Sequence, residues 1–221
     1  MSAFSKTEDL QRALKALIQV TSVEDIKVVD NFIRHIAVET IVAGPLTFQQ
    51  LTFHDAPSLF EFYSEGLSEM PRHMFAPYPL FHTPPSSADD LAERIADWQK
   101  EKDWTAINLL KDKRIIGFGL LKRFRSEQAT SSIVIRDEFL KKGLGGLLQN
   151  IIVEQARMLK LPGFHVKIVS DNLASVRLHK KCGFRQTRVL SPPLYDEILE
   201  YLSARDKKKV EKKLAGILSK W

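Results

Sequence analysis

The residues best suited to chemistry lie in a turn between a predicted strand and a predicted helix. Gly143, Gly145 and Gly146 stand in this turn, and glycine lets a ligand approach the backbone closely. The start of the following helix offers unpaired N–H groups and the positive end of the helix dipole, and both favour an anion. Lys141 and Lys142 add positive charge beside them. The turn indicates phosphate binding, although it matches neither the Walker A loop nor the dinucleotide-binding glycine pattern. The alternative is that this glycine-rich turn only connects the strand to the helix and binds no ligand.

A second polar segment follows one predicted strand later. Asn172 precedes a short predicted helix, which contains His179 and ends at Gly183. Asparagine is a common helix N-cap, and histidine can act as an acid or a base because its ordinary pKa is about 6.5. Cys182, beside Gly183, is interpreted as a packing residue. The segment adds an amide and an imidazole to the candidate anion site.

Together the two segments resemble the GNAT superfamily of N-acetyltransferases. In that family a strand enters a Q/R-x-x-G-x-G/A turn that binds the pyrophosphate of acetyl-CoA, and an N-x-x-A-x-x-x-Y-x-x-x-G-F segment follows. Gly143 and Gly145 match the two glycines of the first pattern. The second pattern is matched by Asn172, Ser175, His179, Gly183 and Phe184. The order of predicted strands and helices resembles that of the family over residues 46–200. Individual residues match the family patterns only within 128–187.

Two positions depart from the family patterns. Leu140 stands where the family has glutamine or arginine, so Lys141 or Lys142 is the expected substitute at the phosphates. His179 stands where the family has tyrosine. These departures keep a second function open, namely a non-catalytic module of the same fold that binds acyl-CoA or a partner.

The resemblance implies direct transfer of an acetyl group from acetyl-CoA to a primary amine in a ternary complex. Backbone N–H groups of the glycine turn would hold the pyrophosphate, and the open edge of strand 129–135 would pair with the pantetheine arm. A backbone N–H at Ile135 or Arg136 would polarise the thioester oxygen. Asn172 would bind the pantetheine arm, cap the next helix, or do both. The expected cofactor-binding residues are Val134, Ile135, Arg136, Lys141, Lys142, Gly143, Leu144, Gly145, Gly146 and Asn172.

His179 is the candidate catalytic residue, as the acid that protonates the departing CoA thiolate. A helix histidine that only packs against the sheet is the alternative. Many relatives carry a glutamate base on the central strands, but Thr130 and Ser131 stand at the equivalent place. No base is therefore named, and three residues are candidates by location alone: Glu69, His73 and His82. The sequence also allows an acyl donor longer than acetyl-CoA, or an acceptor that reacts through a hydroxyl group. No metal ion is expected.

Strands and helices alternate around these segments and predict an α+β fold. The resemblance specifies a mixed, mostly antiparallel sheet that is flanked by helices. The predicted elements are a strand at 46–51, helices at 55–69 and 86–100, strands at 104–110, 115–124 and 129–135, a helix at 145–160, a strand at 164–169, a helix at 173–181, and strands at 184–190 and 197–203.

Two flanking segments are predicted around a catalytic domain at 46–204. An N-terminal helical extension at 1–45 could cover the sheet, mediate a homodimer or gate the pocket, and a basic amphipathic helix occupies 205–221. The extension is predicted from helical spacing of Leu10, Leu14, Leu17 and Ile18, and then of Val29, Phe32, Ile33 and Ile36. After His35 the pattern does not distinguish a helix from a strand. A proline-rich loop at 71–85 is expected to contribute a wall of the acceptor pocket through Phe75, Tyr78 and Phe81.

The composition is that of a globular protein, with 221 residues of which 44% are hydrophobic. The single cysteine, Cys182, excludes an internal disulfide and argues against a zinc site of the Cys/His kind. The first residues lack the apolar region of a signal peptide, and no stretch approaches the roughly 18 apolar residues of a membrane span. A cytoplasmic protein without membrane attachment is expected.

The net charge of +6 is unevenly distributed: residues 1–100 carry −6, 101–200 carry +7 and 201–221 carry +5. The basic middle is the part that would hold the anionic CoA. The −5 of residues 51–100 suggests a cationic amine acceptor that is attracted to this surface, or simply acidic outer faces of helices. The lysine-rich run at 207–213 is interpreted as a solvated helix face, and RNA contact as the less favoured alternative.

Overall fold

The structure is a computed structural model, and it describes residues 3–17, 19–68, 85–125, 129–169, 172–190 and 198–203. The helices are α1 (Ala3–Lys15), α2 (Ala56–Glu65), α3 (Ala88–Glu101), α4 (Leu144–Met158) and α5 (Leu173–Lys181). The strands are β1 (Val20–Val29), β2 (Phe32–Thr40), β3 (Gly44–Gln50), β4 (Trp104–Lys111), β5 (Arg114–Lys122), β6 (Thr130–Ile135), β7 (His165–Val169), β8 (Phe184–Leu190) and β9 (Ile198–Ser203).

The strands of the described ranges form one sheet in the order β1-β2-β3-β4-β5-β6-β7-β9-β8. All neighbouring strands are antiparallel except β6 and β7, which are parallel. Helices α2 and α3 pack on one face through residues such as Phe62 and Trp98. Helix α4 packs on the other face, with α1 contributing Leu10 and Leu14 to the same core. The predicted α+β fold with a mostly antiparallel sheet between helices is confirmed.

The N-terminal segment is helical only in its first part. The helix predicted around Leu10 and Leu14 is confirmed as α1. The second helix, predicted from the spacing of Val29, Phe32, Ile33 and Ile36, is wrong, because these residues lie in or beside the β1–β2 hairpin.

The turn of this hairpin explains the error. Asp30 and Asn31 both have positive φ, 51° and 68°, and a turn of two such residues matches the twist of a hairpin. From Ile36 onwards β2 buries alternate residues, Ile36, Val38 and Thr40, which is the period of a strand. Since β2 pairs with β3, the sheet continues across the boundary predicted at residue 45.

The predicted elements between residues 86 and 190 are confirmed within a few residues at their ends. Helix α3 begins after Ser87, whose hydroxyl accepts the Asp90 N–H at 3.1 Å as a side-chain cap. The predicted helix at 205–221 and most of the loop at 71–85 lie outside the described residues. In the part of the chain that is described, none of the helices combines the length and the apolarity needed to cross a bilayer.

Candidate functional site

A slot opens between the parallel strands β6 and β7. Their register contains one Cα pair, Thr130 with His165, and the His165 N–H donates to the Ala129 carbonyl at 2.8 Å. On its other side β6 pairs with β5 along its whole length, from Thr130 to Ile135. Because β6 and β7 are registered only at their first residues, the edge of β6 beyond Thr130 is available to an extended ligand.

The hydrogen bonds of β6 show which backbone groups face this slot. The Arg136 N–H donates to the Ile116 carbonyl on β5 at 2.8 Å. Residues along an antiparallel strand direct their N–H and C=O groups to alternate sides. Val134 therefore faces β5 as Arg136 does, whereas Ile133 and Ile135 face the slot.

Of the two residues predicted as alternative donors to the thioester oxygen, Arg136 has its N–H already bonded to β5. Ile135, the other predicted donor, faces the slot. Ile133 was missed by the sequence analysis, although counting two residues back from Ile135 along the strand would have found it.

The glycine turn, where α4 begins, lies beside β6, since a Cβ atom at Gly145 would lie 3.7 Å from Ile135 Cγ1. Gly143 is the N-cap of this helix and has a φ of +77°, which favours glycine. Its carbonyl accepts the N–H groups of Gly146 and Leu147 at 3.0 and 3.2 Å. The N–H groups of Leu144 and Gly145 precede the first intrahelical hydrogen bonds, so they are placed to bind an anion.

The side chains around the turn differ in exposure. Lys141 and Lys142 are exposed, as a role beside the phosphates requires. Leu140 is 47% exposed and offers no polar atom. The Leu144 side chain is buried in the core, so only its backbone can contact a ligand.

Helix α5 packs directly against the glycine turn, so the two motif segments meet. A Cβ atom at Gly145 would lie 2.7 Å from Leu178 Cδ1, which shows how closely α4 and α5 approach. The half-buried Cys182 lies with Sγ 3.8 Å from the Gly146 carbonyl, consistent with the packing role. Asn172 Oδ1 accepts the Ser175 N–H at 3.1 Å, so the predicted helix cap is present.

His179 is buried on α5, with 2% of its surface exposed. Nδ1 lies 2.8 Å from the Ser175 carbonyl, which can only accept, so the imidazole proton is on Nδ1. The ring packs edge-to-face against Phe184 at 5.2 Å. Nε2 is buried and has no hydrogen-bond partner among the described residues. Burial lowers the pKa of His179 to about 4, although the hydrogen bond to Ser175 acts in the opposite direction.

His179 is therefore a neutral imidazole at pH 7, with a lone pair on Nε2. It carries no proton on that atom to give directly to a thiolate. It can accept a proton or a hydrogen bond there, and the imidazolium formed in this way would be a strong acid.

The lowered pKa of His179 makes the stability of the fold depend on pH. The unfolded chain binds a proton near pH 6.5 and the folded chain only near pH 4, so stability falls as the pH drops through this window. We expect a loss of about 3 kcal/mol between pH 6.5 and 4. Urea denaturation at several pH values should show this loss in the natural protein and not in His179→Phe; equal losses in both would contradict the assignment.

An ion pair between the buried Arg136 and the half-buried Glu61 fixes the end of β6 beside α2. The Arg136 guanidinium is 4% exposed, and its Nη1 lies 3.0 Å from Glu61 Oε2. Hydrogen bonds from Arg136 lower the pKa of Glu61 below its ordinary value. The Asp137 N–H donates to the Gly66 carbonyl at 3.0 Å, and Asp137 Oδ2 accepts the Ser68 N–H at 2.8 Å. These contacts attach the chain that leaves α2 to the strand that borders the slot.

Removing the Glu61 carboxylate should destabilise the fold more than removing its exposed partner. Glu61→Gln leaves the buried Arg136 without its main counter-ion, for an expected cost of about 2 kcal/mol. Arg114→Gln removes a side chain that is 51% exposed and should cost less than about 1 kcal/mol. Equal midpoints of urea denaturation for the two variants would contradict this ranking.

The base stays unassigned. Ser131 is buried, and its hydroxyl lies 3.4 Å from Gln149 Nε2. Glu69, His73 and His82 lie outside the described residues, as does the aromatic cluster of the proline-rich loop. Within the ranges that the structure describes, no three histidine, cysteine or acidic side chains are grouped so as to hold a metal ion.

Comparison with solved structures gives several GNAT enzymes of the same fold. The spermidine N-acetyltransferase of Vibrio cholerae, in complex with CoA and spermine, superposes with a TM-score of 0.62 at 18% identity, covering 73% of this chain and 96% of that chain. A GNAT acetyltransferase of Streptococcus pneumoniae superposes with a TM-score of 0.57 at 16% identity, covering 72% of this chain and 98% of that chain. At these identities the likeness shows the fold.

A search of curated protein sequences gives no match. The family assignment comes instead from residues 45–185, which match the family described as the acetyltransferase (GNAT) domain. This range contains both motif segments, and the solved GNAT enzymes share its fold. Because the match covers more than half of the chain, the protein belongs to the GNAT acetyltransferase family.

Proposed function

We propose that this protein is an N-acetyltransferase that moves the acetyl group of acetyl-CoA directly to a primary amine. The observation that carries the proposal is that the open edge of β6 lies beside the first turn of α4. Strand β6 is registered with β7 only at Thr130, and a Cβ atom at Gly145 would lie 3.7 Å from Ile135 Cγ1.

The residues along this edge and turn fit the parts of acetyl-CoA in order. The free backbone groups of Ile133 and Ile135 suit the amides of the pantetheine arm and the carbonyl of the thioester. The N–H groups of Leu144 and Gly145 suit the pyrophosphate, with Lys141 and Lys142 beside it. Bound there, acetyl-CoA would supply an acetyl group already activated as a thioester. Asn172 caps α5, and we infer that it also lies against the pantetheine arm.

His179 is proposed to carry the proton released by the reaction. The amine nitrogen attacks the carbonyl carbon, the C–S bond breaks, and the new amide nitrogen loses a proton. Nε2, which is unprotonated, can take that proton and pass it to the CoA thiolate as the imidazolium returns to neutral. The low pKa supports the second half of this transfer, because it makes the imidazolium a strong acid.

The acceptor is proposed to be a cationic amine. The charge of −5 over residues 51–100, where the family resemblance leads us to expect the acceptor to enter, would attract one. The Vibrio cholerae enzyme of similar fold has spermine bound, and a polyamine has the charge that this surface favours. The alternative is that these acidic residues only form the solvent-facing sides of α2 and α3 and do not attract a substrate.

Release of free CoA thiol with a panel of amines tests the proposal. We expect turnover with acetyl-CoA and an amine, with spermidine and spermine faster than a neutral amino sugar and slower in high salt. Binding of acetyl-CoA without turnover on any amine would favour the non-catalytic module that Leu140 and His179 suggest. Preference for neutral or anionic acceptors, insensitive to salt, would contradict the attraction of a cationic acceptor.

A further inference from the structure

The connection between α1 and β1 reaches the glycine turn through Gln19. A Cβ atom at Gly143 would collide with the carboxamide nitrogen of Gln19 and lie 2.9 Å from its Cδ. The end of the Gln19 side chain therefore rests directly on the backbone of Gly143. Residues 19 and 143 are far apart in sequence, and no pattern along the chain connects them.

The peptide group that follows Gln19 is held in place at both its carbonyl and its N–H. Its carbonyl accepts the Ile41 N–H at 3.0 Å, and the next residue, Val20, donates to the Leu17 carbonyl at 3.0 Å. Just before this connection, α1 is anchored in the core by Leu14, which is fully buried. The position of the carboxamide thus follows from the packing of the N-terminal segment on the sheet.

The side chains of residues 140–142 include no planar group that holds two N–H donors in fixed geometry. Leu140 is apolar and 47% exposed, and the two lysines are flexible point charges. A carboxamide offers two N–H donors in fixed geometry, and that of Gln19 rests where Gly143 opens the backbone.

We propose that Gln19 is a cofactor-binding residue, whose carboxamide donates a hydrogen bond to the pyrophosphate of acetyl-CoA in place of the side chain that is missing at Leu140. The N-terminal segment then contributes directly to the cofactor site. This inference rests on the proposed function, because it takes the glycine turn to be the pyrophosphate site.

Calorimetry on the full chain tests the inference by measuring the affinities for two ligands. These are acetyl-CoA and acetyl-pantetheine, and the second lacks the pyrophosphate. We expect Gln19→Ala to weaken acetyl-CoA about tenfold and to leave acetyl-pantetheine unchanged, because a hydrogen bond to a charged group is lost. Gln19→Glu keeps the size of the side chain but places a carboxylate at the phosphates, so its loss should be larger. Gln186→Ala, at an exposed position on β8, is the matched control and should bind as the natural protein does.

The outcomes separate this inference from the proposed function. If the natural protein binds acetyl-CoA and Gln19→Ala binds it equally well or more tightly, the role of Gln19 is refuted and the proposed function stands. If Gln19→Ala weakens both ligands to the same extent, the effect does not arise at the pyrophosphate and the inference is likewise refuted. If the natural protein binds neither ligand, the proposed function fails as well.

Discussion

Replacing His179 by phenylalanine is expected to lower kcat by a factor of about 100 or more and to change the KM for acetyl-CoA little. Proton transfer by a positioned side chain contributes roughly 10²–10⁴ to an enzymatic rate. Phenylalanine preserves the ring that packs edge-to-face on Phe184 but removes the unpaired Nε2. Steady-state kinetics with the best amine of the panel measures both parameters.

An exposed histidine provides the control for this experiment. His54→Phe changes the same residue type outside the slot and the glycine turn, and it should keep the natural kcat. If His179→Phe also kept the natural kcat, the residue would be a packing residue and not part of the mechanism. A fall in kcat that came with an equal loss of acetyl-CoA binding would indicate damage to the slot instead.

Replacing Gly143 by alanine is expected to weaken acetyl-CoA binding about 100-fold. The φ of +77° places any other L-residue in the left-handed region, at a cost of about 1–2 kcal/mol. The added Cβ would also displace the Gln19 carboxamide. Two hydrogen bonds to charged phosphate oxygens would then be misaligned, which corresponds to about 3 kcal/mol of binding free energy.

Gly44→Ala is the control that separates the effect of backbone strain from the loss of the proposed binding site. Gly44 has a similar φ of +70°, but a Cβ there would meet only Glu39 Oε1, at 3.7 Å. Both variants should lose stability in urea denaturation, Gly143→Ala by at least as much as Gly44→Ala, and only Gly143→Ala should lose affinity for acetyl-CoA. Equal affinities for the two variants would remove the glycine turn from the cofactor site.

The part of the fold that forms the site could be predicted because its signals are local. The hairpin β4–β5, the capped helix α3 and the glycine turn each lie within a short stretch of chain, where period, cap residue and turn residue agree. The hairpin β1–β2 was not predicted, because its apolar residues also recur at helical spacing. The Asp30-Asn31 pair, which forms the turn, was not recognised as a turn signal.

Features that depend on contacts between distant residues could not be predicted. The sequence left Ile135 and Arg136 as alternative thioester donors, because the direction of the Arg136 N–H depends on its pairing with Ile116. The neutral state of His179 follows from burial against Phe184 and the α5 backbone. The contact of Gln19 with Gly143 joins two segments that share no pattern.

Amide hydrogen exchange with and without acetyl-CoA is the most direct test of acetyl-CoA binding between β6 and the glycine turn. We expect acetyl-CoA to slow exchange at Ile133, Ile135, Leu144 and Gly145, whose N–H groups are open to a ligand. Val134 and Arg136, which already face β5 in the free protein, should change much less. Unchanged exchange at all four open positions under saturating acetyl-CoA would contradict binding in this slot.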